Sequence, residues 1–126
     1  MPAAPADPDG ILLVDKPQGI TSHTAVSRAR RALGTRKVGH AGTLDPMATG
    51  LLILGVGPST RLLTHMVGLD KTYTATVALG AATTTDDAEG EVIAESDARP
   101  ADQEIKDALG AFVGEIMQVP PKFSAV

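Results

Sequence analysis

Read for its alternation of apolar and polar positions, the chain divides into short blocks. Residues 11–15 (ILLVD) form a brief apolar run closed by the turn sequence KPQG, which predicts a buried strand. Over residues 22–33 the apolar side chains of Ala25, Val26, Ala29, Ala32 and Leu33 share one helical arc. Arg28 and Arg31 point away from that arc and Arg30 flanks its edge, so an amphipathic helix is expected. Ser22 is expected to cap it and Gly34 to stop it. Residues 51–56 (LLILGV) read as a second buried strand and residues 59–67 as a short helix. Residues 72–79 (TYTATVAL) alternate with period two, placing Tyr73, Ala75, Val77 and Leu79 on one face of a strand. A polar loop (AATTTDDAEG) follows, then a strand (EVIAE). An amphipathic helix over residues 100–113 uses Ile105, Ala108, Leu109 and Phe112. The elements alternate without regular βαβ units. The expected fold is therefore α+β, with a mixed, mainly antiparallel sheet flanked by helices. No internal repeat is visible.

One stretch interrupts this pattern. Residues 39–50, GHAGTLDPMATG, hold three glycines, a proline and a single charged residue, Asp45. Such a segment reads as a shaped loop rather than a helix or strand. Its setting is basic. From Lys16 to Leu69 there are seven basic residues and one acid, Asp45, for a local charge of +6 on a chain whose total is −4. Residues 1–15 carry −3 and residues 70–126 carry −7, so charge is segregated along the chain. A lone carboxylate on a loop within a basic stretch points to chemistry on a polyanion.

Composition narrows the classes. The 126 residues suit one domain with a real core, and 43% hydrophobic content is globular. Residues 1–9 read as a disordered tail of Ala, Pro and Asp. Aromatics make up only 2%, so aliphatic side chains must build the core. There is no cysteine, which removes disulfides, thiolate catalysis and cysteine-ligated zinc and fits a reducing cytoplasm. The N-terminus lacks the basic start and apolar run of a secretory signal, and no apolar stretch is long enough to span a membrane.

Asp45 precedes Pro46, which biases it toward an extended backbone. Two readings of it stand: a turn aspartate that caps its own loop, and a nucleophile or general base facing an anionic substrate. A metal-ligand role fits poorly, since no second acid lies nearby in sequence. The helix 22–33 lacks any acid to alternate with its arginines, which favours phosphate contacts over a merely solvated face. Tyr73 is either a core tyrosine with a satisfied hydroxyl or a stacking surface for one unstacked base. Weaker signals are a phosphate-loop-like GVGPST over residues 55–60 and the residue types Ser22, His23 and Asp45 of a hydrolase triad. The first lacks the Gly-Lys-Ser/Thr ending and the second any Gly-x-Ser-x-Gly elbow. His23, His40 and His65 have no metal-ligand spacing, but His40 shares the loop of Asp45.

These residues are also recognisable together. GHAGTLDPMATG, with VDKPQGITSH (residues 14–23), KTY (residues 71–73) and QVPPKFSAV (residues 118–126), closely resembles the bacterial TruB family of tRNA pseudouridine synthases. The likeness covers essentially residues 10–126 in the family's order and spacing. It implies the pseudouridine synthase fold and isomerisation of the T-loop uridine at tRNA position 55, without metal or cofactor. The N-glycosidic bond breaks, the base turns over, and it is rejoined through carbon. Carried over residue by residue, Asp45 matches the essential aspartate that forms a covalent link. His40 matches the residue inserted beside the flipped nucleotides, and Tyr73 the aromatic packed on the target base. Lys16 and Pro17 match a motif that supports the loop, and Thr43 and Leu44 stand within the substrate-binding string. Arg28, Arg31, Arg36 and Lys37 are candidate phosphate contacts. The implied partner is tRNA, with no membrane and no required protein partner, on a cytoplasmic monomer.

One departure stands out. The sequence stops at SAV, where the family continues with a lysine, an arginine that pairs with the aspartate, and usually an RNA-binding domain. Residues 10–126 are thus expected to be the N-terminal part of a catalytic domain, with the remainder absent. Such a piece is expected to show little activity alone; the alternative to a working enzyme is an inactive RNA-binding fragment.

Overall fold

The computed structural model describes residues 6–121 and divides the chain into two compact units, Met1–Tyr73 and Thr74–Val126. The segregated charge follows that division. The first unit holds eight Lys and Arg against five Asp, for +3; the second holds three against ten acids, for −7.

In the first unit, strand β1 (Gly10–Lys16), helix α1 (Ser22–Leu33), strand β2 (Val38–Ala41) and strand β3 (Gly50–Val56) form a helix-backed sheet. The strand order is β1-β3-β2, with both pairings antiparallel. The central strand explains the core. Leu52, Leu54 and Val56 alternate onto one face of β3, where they meet Ala25, Val26 and Ala29 of α1 together with Val38 and Leu44. Leu52 and Leu54 are fully buried, and each such side chain contributes on the order of 1.5–3 kcal/mol. Small residues on the helix let it lie close to the sheet.

Several expectations shift. Helix α1 has the expected limits, and Gly34 closes it in the left-handed region at φ 65°. Its cap, however, is Thr21, whose Oγ1 accepts the Thr24 N–H at 3.0 Å. Ser22 lies inside the first turn and its hydroxyl is engaged elsewhere. The glycine-rich stretch is not all loop: Val38–Ala41 is β2, and Gly50 opens β3. Gly39 pairs opposite Gly55, and a Cβ at Gly55 would lie 2.9 Å from Thr60 Cα and 3.0 Å from Leu63 Cγ. These glycines serve close packing on the sheet, which overrides their weak strand preference. The packing element is a 3-10 helix (Gly57–Leu62) continued by a single α-helical turn, α2 (Leu63–Met66), rather than one regular helix.

Residues 70–78 have no regular structure, so the alternating segment around Tyr73 is not a strand among the described residues. Alternation suits a segment to a sheet, but only hydrogen bonding to a neighbouring backbone makes it a strand. In the second unit, β4 (Ala81–Thr83) arises inside the expected polar loop and pairs antiparallel with β5 (Val92–Glu95), with an irregularity between Ala82 and Thr83. Helix α3 (Asp102–Gly110) is shorter than its pattern. The Glu104 carboxylate accepts the Ala101 N–H at 2.7 Å at its start, and Phe112 lies beyond its end, exposed. The α+β class holds, with every described pairing antiparallel.

Candidate active-site loop

Asp45 sits between β2 and β3 on a loop whose backbone is tied on both sides. Before it, the Ser22 hydroxyl accepts the Leu44 N–H at 2.9 Å and donates to the Leu44 carbonyl at 3.2 Å. After it, the Pro46 carbonyl accepts the Gly19 N–H at 2.7 Å and the Lys16 ammonium at 3.3 Å. The Asp45 carbonyl accepts the Ala48 N–H at 3.0 Å. With its main chain held this way, Asp45 itself is exposed. The arrangement is a fixed backbone carrying a solvent-facing carboxylate, which can serve as nucleophile or base.

Lys16 is the unusual member. It is 0% exposed, yet its ammonium bonds to backbone carbonyls, those of Pro17 at 3.1 Å, Ile20 at 2.8 Å and Pro46. Three donors meet three acceptors, which satisfies the group without a carboxylate. The result joins the end of β1, the turn after it and the Asp45 loop.

His40, on β2, places Nδ1 2.8 Å from the Gly42 carbonyl. A carbonyl only accepts, so Nδ1 carries the proton and donates it. Gly42 turns the chain into the loop at φ 86°, a region open to glycine, and a Cβ there would lie 3.6 Å from Lys71 Cε. Lys71 therefore reaches the loop, with its ammonium held by the Val67 and Leu69 carbonyls at 2.7 and 3.0 Å. The structure thus brings Lys16, Leu44, Asp45 and, through Lys71, the KTY segment to one loop. Tyr73 is 66% exposed. Thr43 and Pro17 are exposed.

Arg28, Arg31, Arg36 and Lys37 are all exposed. Arg30 is used differently: its guanidinium donates to the Val38 carbonyl at 2.9 Å and ties α1 to β2, leaving the buried Nε without a partner. An apolar groove of about 260 Å³ between β1 and α1, bordered by Leu12, Val14, Pro17 and Arg28, does not include Asp45.

The weaker signals resolve locally. Ser22 spends its hydroxyl on Leu44 and is 2% exposed, so it is not a nucleophile waiting for His23. In the phosphate-loop-like stretch, the Ser59 N–H is taken by the Asp9 carboxylate at 2.8 Å, and the Gly57 N–H donates to the Lys37 carbonyl. Hydrogen bonds from Ser59 hold the Asp9 carboxyl below the usual aspartate range, with Gly10 and the Lys37 charge adding to the effect. Within residues 6–9 of the expected tail, Asp9 is thus anchored; residues 1–5 and the SAV ending lie outside the described residues. Among the described residues no group of three His, Cys, Asp or Glu could hold a metal, and no helix is long and apolar enough to cross a membrane.

The sequence singles out Asp45, His40 and Lys16 as candidates but does not show what Ser22 does. The one available signal is a second residue able to cap the helix, Thr21, directly before it.

Comparison with known proteins places this α+β chain among N-terminal domains of a pseudouridylate synthase family. The model of the TruB family pseudouridylate synthase (N terminal domain) matches residues 30–126, and the chain belongs to that family. It is 59% identical over 120 residues to the tRNA pseudouridine synthase B of Ruegeria pomeroyi, covering 95% of this chain and 40% of that protein. The protein of the same name from Arthrobacter sp. (strain FB24) is 60% identical over 118 residues, covering 93% of this chain and 39% of its own length. That from Corynebacterium glutamicum (strain R) is 57% identical over 124 residues, covering 98% and 42%. The chain spans about two fifths of the length of these curated relatives.

Proposed function

We propose that this chain supplies the aspartate-bearing N-terminal part of an enzyme that isomerises the T-loop uridine at tRNA position 55 to pseudouridine. The observation that carries this reading is the exposed carboxylate of Asp45 on a main chain tied at Leu44 and Pro46, in a unit of net positive charge. Asp45 is the covalent partner of the substrate. The N1–C1′ bond breaks, the base turns, and a C5–C1′ bond forms. The proton lost from C5 is balanced by one gained at N1, so no cofactor is consumed.

The other residues take roles around that carboxylate. His40 stands beside the extruded nucleotides with Nδ1 committed to Gly42, so its Nε2 edge faces the RNA. Tyr73 stacks on the target base, and its exposure suits a ring that waits for one. Thr43 lines the approach, while Leu44, whose side chain is buried in the core rather than open to substrate, supports the loop with Lys16 and Pro17. Arg28, Arg31, Arg36 and Lys37 neutralise phosphates, offsetting the few kcal/mol that extruding a base costs. The setting is a cytoplasmic monomer acting on tRNA.

The test uses residues 1–126 continued by the C-terminal part of the Corynebacterium glutamicum relative. Asp45→Asn should abolish pseudouridine formation on a T-loop hairpin while leaving hairpin affinity within about twofold, since phosphate contacts supply most of the affinity. Comparable turnover by the variant would remove Asp45 from the chemistry. For residues 1–126 alone a second reading applies, because they span only about two fifths of the relatives: a fragment that binds RNA without turnover. Robust isomerisation by the isolated chain would refute it.

A further inference from the structure

The hydroxyl of Ser22 is bound twice to a single residue. It accepts the Leu44 N–H at 2.9 Å and donates to the Leu44 carbonyl at 3.2 Å, in a side chain 2% exposed. A serine hydroxyl has one proton to give, and here it is given to the peptide carbonyl that also carries the Asp45 nitrogen. Ser22 is released for this task because Thr21 performs the cap of α1. The buried Leu44 side chain joins the core, so its main-chain groups are drawn away from water and need partners.

The consequence lies at Asp45. Donation to the Leu44 carbonyl fixes the plane of the peptide entering Asp45. Pro46 restricts the backbone leaving it, and Lys16 and Gly19 hold the Pro46 carbonyl. With both flanking peptides set, the carboxylate is left only its own side-chain rotations. We infer that Ser22 is a positioning residue for Asp45: it holds the peptide plane of Leu44–Asp45 so that the carboxylate meets substrate in one orientation. This rests on the reading of Asp45 as the reacting group. A reacting atom misplaced by about 1 Å costs on the order of a hundredfold in rate, which makes such a tie worth a buried hydroxyl.

The experiment compares Ser22→Ala, Asp45→Asn and Val56→Ala in residues 1–126 continued by the C-terminal part of the Corynebacterium glutamicum relative. Val56 is buried at the opposite end of β3, so its truncation loosens the core away from the loop. Ser22→Ala should slow single-turnover pseudouridine formation by about 10- to 100-fold, with T-loop hairpin affinity within twofold. Val56→Ala should lower the melting temperature but leave the rate within about threefold. In residues 1–126 alone, Ser22→Ala should speed hydrogen exchange at the Leu44 amide at least about tenfold relative to the Leu54 amide. Ser22→Cys keeps the side-chain shape with a modest gain in volume and weakens both hydrogen bonds, so it reads out the same loss should the alanine variant unfold. A full rate in either folded Ser22 variant, a loss no larger than that of Val56→Ala, or unchanged Leu44 exchange would overturn the inference. Turnover by Asp45→Asn would instead overturn the reading of Asp45 on which it rests. An inactive Asp45→Asn beside a fully active Ser22→Ala would reject the role of Ser22 alone.

Discussion

The Lys16 ammonium lies 3.3 Å from the Pro46 carbonyl, joining the last residue of β1 to the residue after Asp45 across thirty positions of sequence. A lysine with no exposed surface is costly unless each of its donors is used. Here they are, by Pro17, Ile20 and Pro46. Burial of the charge and placement of the loop are therefore one structural feature.

Lys16→Met removes the donors and keeps an unbranched apolar stem. Three carbonyls then lose a donor, although that of Pro46 keeps the Gly19 N–H. Leaving buried polar groups unmet costs about 1–3 kcal/mol each where water cannot reach them, so a net loss of about 2–4 kcal/mol is expected. Urea denaturation of residues 1–126 measures it. An unchanged midpoint would mean the ammonium contributes no net stability.

Gly55 is a packing requirement. A Cβ would lie 2.9 Å from the backbone Cα of Thr60, which cannot yield as a flexible side chain would. Gly55→Ala should destabilise by about 1–3 kcal/mol, the usual cost of overpacking. Gly68, whose added Cβ would meet nothing within 4 Å, is the control and should change little on substitution by alanine.

Asp9 links stability to pH. Hydrogen bonds from Ser59, with smaller help from Gly10 and the Lys37 charge, lower its folded-state pKa below the unfolded value. The folded state then binds fewer protons than the unfolded state. The contribution is present above the unfolded pKa and is lost as pH falls through the folded one. Asp9→Asn should thus lower stability at neutral pH and flatten its decline below about pH 4, seen by thermal melts across pH. Asp87, lowered by hydrogen bonds from Thr85 and Glu89, adds a second acid-side decline in the second unit that Asp9→Asn leaves untouched.

The phosphate contacts proposed for the exposed arginines of α1 are testable through salt dependence. If Arg28 and Arg31 each neutralise a phosphate, Arg28→Gln and Arg31→Gln should each reduce the slope of log affinity against log salt by about 0.7. Fluorescence titration of a T-loop hairpin at several salt concentrations measures this. Arg30→Gln, which loses the bond to the Val38 carbonyl, should instead lower the melting temperature.

Local pattern was enough to locate β1, α1, β3 and β5, because each carries its own periodicity or apolar run and lies close to its own turn residues. The same holds for Asp45, whose isolation among basic residues is a property of the string. Pairing was not legible. Val38–Ala41 became a strand only because β3 lies beside it, and the equally strand-like residues around Tyr73 did not, having no backbone to join among those described.

Sequence by itself determined which side chains could face a core, where the charge concentrates, and membership of a family through a long motif. Tertiary structure alone decided that Ser22 and Lys16 hold the Asp45 loop from either side. Those contacts join residues 22 and 30 positions apart, and their strength depends on exclusion of water, which no run of neighbouring residues encodes.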